Sequence, residues 1–308
     1  MIMQQIVVTG GAGFIGSYTV NLLLATGKQV IVIDNLSTGQ LTNLNLDHPS
    51  LRFVEGDVRD YPLLLSLIRE CDAVLHLAAL RSIPHSIENP ILSCEVNSVG
   101  FLHVLQAIRE VNPEARLVYA SSAAVYGADS VLPCSDEVPL SAIPLSPYAL
   151  EKITNEQYAD LYYRLFGIKS LGLRYFNVYG TGQDPHSSYA GVISTFIKQY
   201  QNNEEMLIFG NGEQSRDFIH VSDVAQANGL ALSSAYYGVV NIATGIPETL
   251  LNLVRYIELA GQKPAKMRLT AMRPGDIVHS HAKIDKAEKH LAFHYKTRLA
   301  QGISSFLK

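Results

Sequence analysis

The chain has 308 residues, enough to bury a large core in one large domain or two smaller ones. Hydrophobic residues make up 47% of it and charged residues 17%, a composition typical of globular rather than disordered proteins. The formal net charge of −4 gives no support for nucleic-acid binding or for attachment to a membrane surface. No segment of the sequence reaches the roughly 18 consecutive apolar residues that a membrane-spanning helix needs.

Cysteine and histidine positions argue against structural metal sites and disulfides. Three cysteines lie scattered at positions 71, 94 and 134, without the paired spacing of a zinc site or a disulfide framework. The first residues lead directly into a predicted strand, without the pattern of a secretory signal. We expect His76 and His220 to have structural roles. His279, His281, His290 and His294 have no companions that would complete a metal site, so no metal is predicted. These features predict a cytoplasmic protein with reduced thiols and no bound metal.

The first half of the chain alternates short runs rich in Val, Ile and Leu with helical patterns. The predicted strands are residues 5–9, 29–33, 51–55, 73–77, 116–120 and 168–173, and helical periodicity is clearest over 94–110 and 147–166. Apolar strands separated by helices predict an α/β fold, a doubly wound parallel Rossmann sheet. We predict this domain over 1–176 and a smaller, irregular α/β substrate-binding domain over 177–308. The segment around 216–242 is expected to return to the first domain.

A glycine-rich loop follows the first predicted strand. The segment VVTGGAGFIG places Gly10, Gly13 and Gly16 between that strand and a helix. Such glycines permit a tight turn, let the backbone approach a pyrophosphate, and let the helix pack on the strand. Asp34 ends the second strand at the distance where a carboxylate binds the adenosine ribose and repels a 2′-phosphate. This context predicts a dinucleotide site that favours NAD over NADP.

The segment SPYALEK, residues 146–152, places Tyr148 and Lys152 on one face of a predicted helix. A tyrosine with a reference pKa of about 10 is mostly protonated at neutral pH. A nearby ammonium group stabilises the phenolate, so we expect the pKa of Tyr148 to move towards neutrality. By itself, such a pair is more often a surface feature than a proton-transfer device. The glycine loop, Asp34 and Ser122 at the end of predicted strand five favour catalysis.

The glycine spacing GxxGxxG and the Tyr-xxx-Lys pair resemble the short-chain dehydrogenase/reductase superfamily. The sequence is similar to its extended members, the nucleotide-sugar epimerases, and most to UDP-N-acetylglucosamine/UDP-glucose 4-epimerases of bacterial polysaccharide synthesis. The resemblance runs nearly end to end through TGGAGFIG, DNLSTG, GDVRD, HLAAL, ASSAAVYG, SPYALEK, LRYFNVYG, SRDFIHVSD and RPGD, in the family's order. It implies NAD as the cofactor and a UDP-sugar as the substrate.

The resemblance implies further contacts with NAD beyond those of the glycine loop and Asp34. The additional residues are Phe14, Ile15, Asn35, Ser37, Thr38, Gly39, Asp57, Val58, Leu77, Ala78, Ala79, Arg81, Asn97, Tyr148, Lys152 and Tyr175. Of these, Asn97 is expected beneath the cofactor.

The resemblance also implies roles in catalysis. Tyr148 would remove the proton of the sugar 4-hydroxyl, Lys152 would activate it, and Ser122 would hydrogen-bond the reacting oxygen. Related 4,6-dehydratases carry an Asp-Glu pair directly after the strand-five hydroxyl, where this chain has Ala123 and Ala124. The chain is therefore expected to epimerise rather than to eliminate water. The family's UDP-galactose enzymes often have Thr at the position of Ala124, which removes one possible sugar contact here.

A second set of residues is implied to bind the UDP-sugar. It consists of Arg81, Ser122, Tyr148, Asn177, Val192, Phe209, Arg216, Arg273, Asp276 and Ser280. Arginine suits phosphate oxygens, so Arg216 and Arg273 are expected on the diphosphate. Ser280 occupies the family position where a tyrosine excludes an N-acetyl group. Both UDP-GlcNAc and UDP-Glc are therefore expected to fit, with UDP-GlcNAc preferred.

The sequence also permits functions other than epimerisation of a UDP-hexose. One is a UDP-uronate 4-epimerase or another NAD-dependent nucleotide-sugar dehydratase or modifier. A non-catalytic NAD(H)-sensing module would need the glycine loop but not Tyr148, Lys152 and Ser122. The resemblance implies a homodimer joined through the helices near 94–110 and 147–166, although their apolar faces could equally pack on the chain's own sheet.

Overall fold

The computed structural model describes residues 4–128, 131–137, 143–183, 191–272 and 277–307. Within these residues the strands are β1 (Gln5–Thr9), β2 (Gln29–Asp34), β3 (Leu51–Glu55), β4 (Ala73–His76), β5 (Arg116–Ser122), β6 (Ser170–Tyr175), β7 (Asn177–Tyr179), β8 (Glu205–Phe209), β9 (Ser215–His220), β10 (Gly238–Ile242), β11 (Pro247–Thr249), β12 (Lys266–Thr270) and β13 (His279–Ser280). The helices are α1 (Phe14–Ala25), α2 (Tyr61–Ile68), α3 (Ile83–Glu88), α4 (Pro90–Cys94), α5 (Gly100–Val111), α6 (Pro147–Phe166), α7 (Val192–Gln201), α8 (Val221–Ser233), α9 (Leu250–Gly261), α10 (Asp285–Leu291) and α11 (Leu299–Leu307).

Seven parallel strands of the described chain form one sheet, in the order β3-β2-β1-β4-β5-β6-β10. Strand order reverses between β1 and β4, because the chain builds outwards from β1 in one direction and then returns to its other side. At such a reversal the loops that follow the two strands diverge and leave a crevice at their carboxyl ends. The predicted doubly wound parallel sheet is confirmed.

Helices cover both faces of this sheet. On one face, α1 and α8 pack over alternate residues of β1, such as Ile6 and Val8. On the other face, α2, α5 and α6 cover Val7 and its neighbours in β2 and β4. Because both faces are covered, strands such as β4 are buried along their whole length.

A second unit follows β6. It has a separate core, in which α7, α9 and α11 pack around β8 and β9. Within it β7 and β13 run parallel to β9, β11 runs antiparallel to β9, and β12 pairs with β8. The segment from α8 to β10 contributes to the first unit instead, since β10 pairs with β6. The exact domain division at residue 176 stays a prediction.

The segment Pro90–Val111 is one nearly continuous helical stretch, because a π-helical turn at Glu95–Val99 joins α4 to α5. It is long and apolar enough to cross a membrane by length and composition alone. However, Phe101, Leu105 and Ile108 of α5 are fully buried against the sheet and α2. Its α5 part is therefore a core helix of this fold.

Helix α6 has well-defined ends. Ser146 is its N-cap and accepts a hydrogen bond from the amide of Ala149 at 3.2 Å, and Pro147 occupies its first turn. Gly167 ends it in the left-handed conformation, with φ of 72°. These local signals position the face that carries Tyr148 and Lys152 towards the carboxyl ends of β4 and β5.

A buried ion pair connects α6 to the sheet. Arg174 of β6 donates to both carboxylate oxygens of Glu156, through Nε at 2.9 Å and Nη2 at 2.6 Å. The two side chains are only 4% and 9% exposed. Ser121 donates to the same carboxylate and Tyr126 accepts from Arg174, so the pair extends into a hydrogen-bonded network.

Replacing Arg174 by alanine should destabilise the fold strongly. The substitution leaves Glu156 buried without its partner, which typically costs about 3–5 kcal/mol. Denaturant unfolding of Arg174→Ala and of the control Arg164→Ala would test this. Arg164 pairs with Asp160 on the same helix, but both side chains are 63% exposed, so its loss should cost no more than about 1 kcal/mol. Equal losses in the two variants would contradict the expectation.

Candidate active site

A cleft of about 680 Å³ lies where the strand order reverses. Its floor is formed by the loops after β1 and β4, and α6 contributes Tyr148 and Lys152 to its wall. Phe306 of α11 closes it from the second unit. The cleft therefore occupies the place where doubly wound sheets bind their ligands.

The loop after β1 can only be built with glycine at two positions. Gly10 has φ of +71°, and a Cβ there would lie 2.7 Å from the amide nitrogen of Ala78. A Cβ at Gly16 would collide with the carbonyl oxygen of Gly10. Helix α1 starts directly after Gly13 without any side-chain cap, so its first amide groups retain donor capacity beside the cleft. Such an uncapped helix start suits the pyrophosphate of a dinucleotide.

The carboxylate of Asp34 lies at the edge of the same cleft. It accepts hydrogen bonds from the amides of Ala12 at 3.0 Å and Leu36 at 2.9 Å, which orient it at the end of β2. Gly39 packs against it, because a Cβ at Gly39 would lie 2.9 Å from both carboxylate oxygens. The loop geometry and this fixed carboxylate fit the adenosine half of NAD.

The loop after β3 presents a second oriented acid. Arg59 donates to both oxygens of Asp57, and Asn35 donates to it at 2.9 Å. The hydrogen bond from Arg59 holds the pKa of Asp57 well below its usual range, against the opposing effect of burial. Asp57 is thus ionised, and it lines the same cleft as Asp34.

Tyr148 and Lys152 meet strand β5 at the centre of the cleft. Ser122, the last residue of β5, lies close enough to the Tyr148 hydroxyl to lower its pKa. Lys152 is only 2% exposed and donates from Nζ to the carbonyl oxygen of Ala120 at 2.9 Å. Its Nζ lies 5.7 Å from the centroid of the Tyr148 ring. The structure therefore brings together the three residues predicted to be catalytic, and their roles stay predictions.

The pKa values of this group follow from burial and nearby charge. Burial raises the pKa of Tyr148 above its usual value, while the hydrogen bond to Ser122 and the charge of Arg81 oppose this. Burial lowers the pKa of Lys152 to about 8, and the charges of Glu151 and Glu156 counteract it. Without bound NAD, the pKa of Tyr148 is thus raised rather than lowered towards neutrality. The effect of burial outweighs the lowering effects of Ser122 and Arg81.

Most predicted cofactor residues line the cleft. They are Gly10, Gly13, Phe14, Ile15, Gly16, Asp34, Asn35, Ser37, Thr38, Asp57, Val58, Leu77, Ala78, Ala79, Arg81, Tyr148, Lys152 and Tyr175. Gly39 and Asn97 do not line it. Gly39 supports Asp34 from behind, and Asn97 is 1% exposed and bonds both backbone groups of Leu80.

The predicted substrate residues are spread more widely. Asn177 begins β7, Arg216 lies in β9 and Ser280 ends β13, so all three belong to the strands around β9. Ser280 is the register partner of Arg216, which donates to the carbonyl oxygens of Ser215 and Val278. Val192 begins α7 and Phe209 ends β8, two elements that pack together. Arg273 and Asp276 lie outside the described residues.

Several residues that line the cleft were not predicted from the sequence to bind cofactor or substrate. They are Ile33, Gln40, Asn43, Gly56, Arg59, Leu80, Leu92, Val96, Ala120, Ser121, Gly182, Gln183 and Phe306. Gly56, Arg59 and Ser121 belong to quoted family segments, so a closer reading of those segments could have selected them. Nothing in the sequence connects Phe306 to the glycine loop, because only the packing of α11 brings it there.

The buried histidine of the site has a structural explanation. His76 ends β4, bonds Thr9 through Nδ1 at 2.9 Å, and is 2% exposed. Burial, with a further effect from Lys152, lowers its pKa to about 3, so it is neutral. Among the described residues, no group of three or more His, Cys, Asp or Glu side chains is placed to hold a metal ion.

Comparisons with known proteins agree with this geometry. The sequence matches the NAD dependent epimerase/dehydratase family over residues 6–243. It is 33% identical to UDP-glucose 4-epimerase of Mycolicibacterium smegmatis, over 98% of this chain and 96% of that protein.

Two solved structures illustrate the range of its relatives. UDP-N-acetylglucosamine 4-epimerase of Methanobrevibacter ruminantium, in complex with UDP-N-acetylmuramic acid, superposes with a TM-score of 0.93 at 36% identity, over 100% of this chain and 98% of that one. A UDP-glucuronic acid 4-epimerase of Bacillus cereus, in complex with a fluorinated UDP-glucuronic acid and NAD, superposes with a TM-score of 0.88 at 28% identity, over 99% and 98%.

Proposed function

Because the chain belongs to the NAD dependent epimerase/dehydratase family, we propose that it interconverts UDP-GlcNAc and UDP-GalNAc by inversion at C4. We further propose that it accepts UDP-Glc and UDP-Gal. The chain is an isomerase of the NAD-dependent UDP-sugar 4-epimerase family. The observation that carries the proposed chemistry is the approach of Lys152 to the Tyr148 ring and to the end of β5, where Ser122 also acts on the Tyr148 hydroxyl.

In the proposed mechanism, Tyr148 removes the proton from the sugar 4-hydroxyl while Ser122 hydrogen-bonds the same oxygen. NAD held by the glycine loop and Asp34 would supply hydride acceptor and donor chemistry at C4. Lys152 contributes a buried positive charge that favours the phenolate form of Tyr148 as the proton is transferred. The 4-keto sugar would then turn over within the cleft, so that C4 presents its opposite face for return of the hydride, while Tyr148 returns its proton to the C4 oxygen.

The residues after Ser122 support epimerisation over dehydration. Ala123 and Ala124 form the start of a 3₁₀ turn directly after β5, and the amide of Ala124 donates to Ser122 at 3.2 Å. Neither side chain can act as an acid or base. Elimination of water would need an acid or base next to the 4-keto sugar. At this position the described site has only the two alanines, which favours epimerisation. A sensor without chemistry would not require the contact of Tyr148 with Ser122.

The strands around β9 support binding of an acetylated sugar. Ser280 is a small residue beside Arg216 on the neighbouring strand, so a substrate whose diphosphate met Arg216 would place its sugar near Ser280. The related M. ruminantium protein is described as acting on UDP-N-acetylglucosamine, and its structure contains UDP-N-acetylmuramic acid. By similarity, this chain would accommodate a 2-acetamido group.

A UDP-uronate is the second candidate substrate. Arg81 is exposed in the cleft wall and close enough to Tyr148 to lower its pKa. A guanidinium group there could pair with the C6 carboxylate of a uronate. The related B. cereus protein acts on UDP-glucuronic acid, which keeps this candidate in the test set.

We also propose that the protein is a cytoplasmic homodimer that supplies sugars for polysaccharide synthesis. An apolar groove runs between the α4–α5 stretch and α6, and its lining includes Cys94, Leu102, Leu145, Leu150 and Tyr158. Leu145 is 50% exposed and Leu150 is 53% exposed. A second copy of the same groove would cover these side chains in a four-helix arrangement.

Tyr148→Phe should retain NAD but lose turnover, because it removes the hydroxyl and leaves the ring. The loss in kcat should be about 10²–10⁴-fold, the usual contribution of a positioned acid or base. Product chromatography from UDP-GlcNAc and a measurement of bound NAD would test both points. Tyr163→Phe is the matched control, since its hydroxyl lies on the same helix and bonds only the exposed Tyr237 in the described structure. An active Tyr148→Phe enzyme would refute the assignment.

Ser280→Tyr should reduce kcat/KM for UDP-GlcNAc more than for UDP-Glc, because the larger ring would occupy the space of the acetamido group. Ser280→Ala, which removes only the hydroxyl, should leave the ratio near that of the natural protein. The assay should include UDP-GlcA, so that a preference for uronates is detected directly. Equal losses on the two hexoses would show that Ser280 does not select the 2-substituent.

Leu150→Glu should convert the dimer to a monomer, since it places a charge in the apolar groove. Light scattering at several protein concentrations measures the mass. Leu259→Glu is the control, because Leu259 is 66% exposed on α9, away from the groove. A natural protein that is already monomeric at micromolar concentration would refute the proposed dimer.

A further inference from the structure

Helix α6 carries a buried carboxylate next to the proposed catalytic lysine. Glu151 is 4% exposed, and its Oε2 accepts hydrogen bonds from Ser93 at 2.9 Å and from Asn97 at 2.6 Å. In the described structure its Oε1 has no hydrogen-bond partner. Burial of a carboxylate with only one oxygen satisfied is costly, and a neutral side chain at this position would avoid the cost. A carboxylate at position 151 is therefore unfavourable for stability alone, which points to a functional reason for its presence.

Glu151 is connected to the cleft through Asn97. The Oδ1 of Asn97 accepts from the amide of Leu80 at 2.7 Å, and its Nδ2 donates to the carbonyl oxygen of Leu80 at 3.0 Å. Leu80 and Arg81 both line the cleft. The carboxylate thus orients the amide group that holds the segment 80–81 in the cleft wall.

The charge of Glu151 also acts on the proton-transfer pair. Burial lowers the pKa of Lys152, and Glu151 is the first of the charges that raise it again. Burial raises the pKa of Tyr148, and Glu151 adds to this increase. The two effects have the same sign, because a negative charge favours the protonated form of both groups.

Other ionisable groups surround this site. They are Tyr148, Lys152 and Glu156 on α6, Arg81 in the loop after β4, His76 at the end of β4, His85 and Glu88 on α3, Cys94 on α4, Glu95 on the π-helical turn, and Arg174 on β6. His76 is neutral, with a pKa of about 3, and Glu156 is neutralised by Arg174. Glu95 is half-exposed and pairs with Arg59, away from the centre. Glu151 is thus the buried carboxylate of this set without a cationic partner in the described residues.

We propose that Glu151 is a positioning residue with two actions. Through Asn97 it holds the segment 80–81 in the cleft wall, and through its buried charge it sets the pH range in which Tyr148 and Lys152 work. The inference rests on the roles proposed above for Tyr148 and Lys152. It concerns a residue that does not itself line the cleft or contact the reacting atoms.

The test is the pH profile of kcat for Glu151→Gln. The amide retains the shape and can accept the same two hydrogen bonds, but it removes the charge. Loss of the charge should lower the pKa of both Tyr148 and Lys152, so both limbs of the pH profile should move to lower pH. The expected shift is on the order of one pH unit, the lower end of the range that one nearby charge produces. The ultraviolet absorbance of the Tyr148 phenolate, taken as the difference from Tyr148→Phe, should titrate at correspondingly lower pH without any substrate.

Three further variants separate charge from packing. Glu151→Ala also removes the charge, so it should give the same shift in pH together with a several-fold weaker affinity for NAD, because Asn97 is released. If Glu151→Gln does not fold, the pH profile of Glu151→Ala tests the same effect of the charge. Ser93→Ala keeps the charge and should leave the limbs in place. Asp160→Asn makes the same chemical change on the exposed face of α6 and should do likewise.

The outcomes distinguish this inference from the proposed function. If Tyr148→Phe remains active, the proposed chemistry fails regardless of the Glu151 variants. A second outcome is that Tyr148→Phe is inactive, while Glu151→Gln and Glu151→Ala lower kcat without moving either limb of the pH profile or the phenolate titration. That outcome overturns only the inference about Glu151. Glu151 would then be a packing residue.

Discussion

The structure depends on the close approach of two backbones at the point where the strand order reverses. Gly10 leaves β1 with a positive φ, and its Cα faces the amide of Ala78, which follows β4. Any side chain at Gly10 would push these two loops apart. Because they are adjacent at their strands and diverge immediately afterwards, a cleft opens between them. Asp34 of β2, the start of α1 and the face of α6 that carries Tyr148 and Lys152 all line that cleft.

A group of polar side chains at the carboxyl ends of β4, β5 and β6 gives this cleft its electrostatic character. Thr9 joins β1 to β4 by its contacts with His76 and the amide of Ala78. The ion pair of Arg174 with Glu156 neutralises two charges beneath α6, which leaves Lys152 as the buried cation nearest to Tyr148. Charges that are buried without a partner are costly. Their presence here is consistent with a site that must stabilise a phenolate and an ammonium ion together.

In the proposed function, the second unit binds the substrate and the first unit carries out proton transfer. Its strands around β9 place Asn177, Arg216 and Ser280 near one another, although these residues are far apart in the chain. Asp217 fixes this arrangement, since its buried carboxylate accepts from Thr244, Gly245 and Ala282. A firm framework around β9 suits a substrate whose nucleotide is held tightly while its sugar turns.

Much of the fold and of the first half of the site could be predicted from the sequence, for a local reason. Parallel buried strands leave continuous apolar runs, so all six strands predicted in the first half are present, β6 starting two residues later than expected. The glycines, Asp34 and the Ser-Pro start of α6 are signals within a few residues of the groups they position. The family resemblance then connected these signals to NAD and to a UDP-sugar.

Only the tertiary structure decided how distant residues meet. It placed Phe306 of the last helix in the cofactor cleft, paired Ser280 with Arg216, and moved Gly39 and Asn97 from the cleft wall into supporting positions. It also showed that burial raises the pKa of Tyr148, which spacing along a helix could not reveal. The reason is physical: strand pairing and side-chain burial depend on neighbours from all parts of the chain, whereas sequence patterns report only the nearest ones.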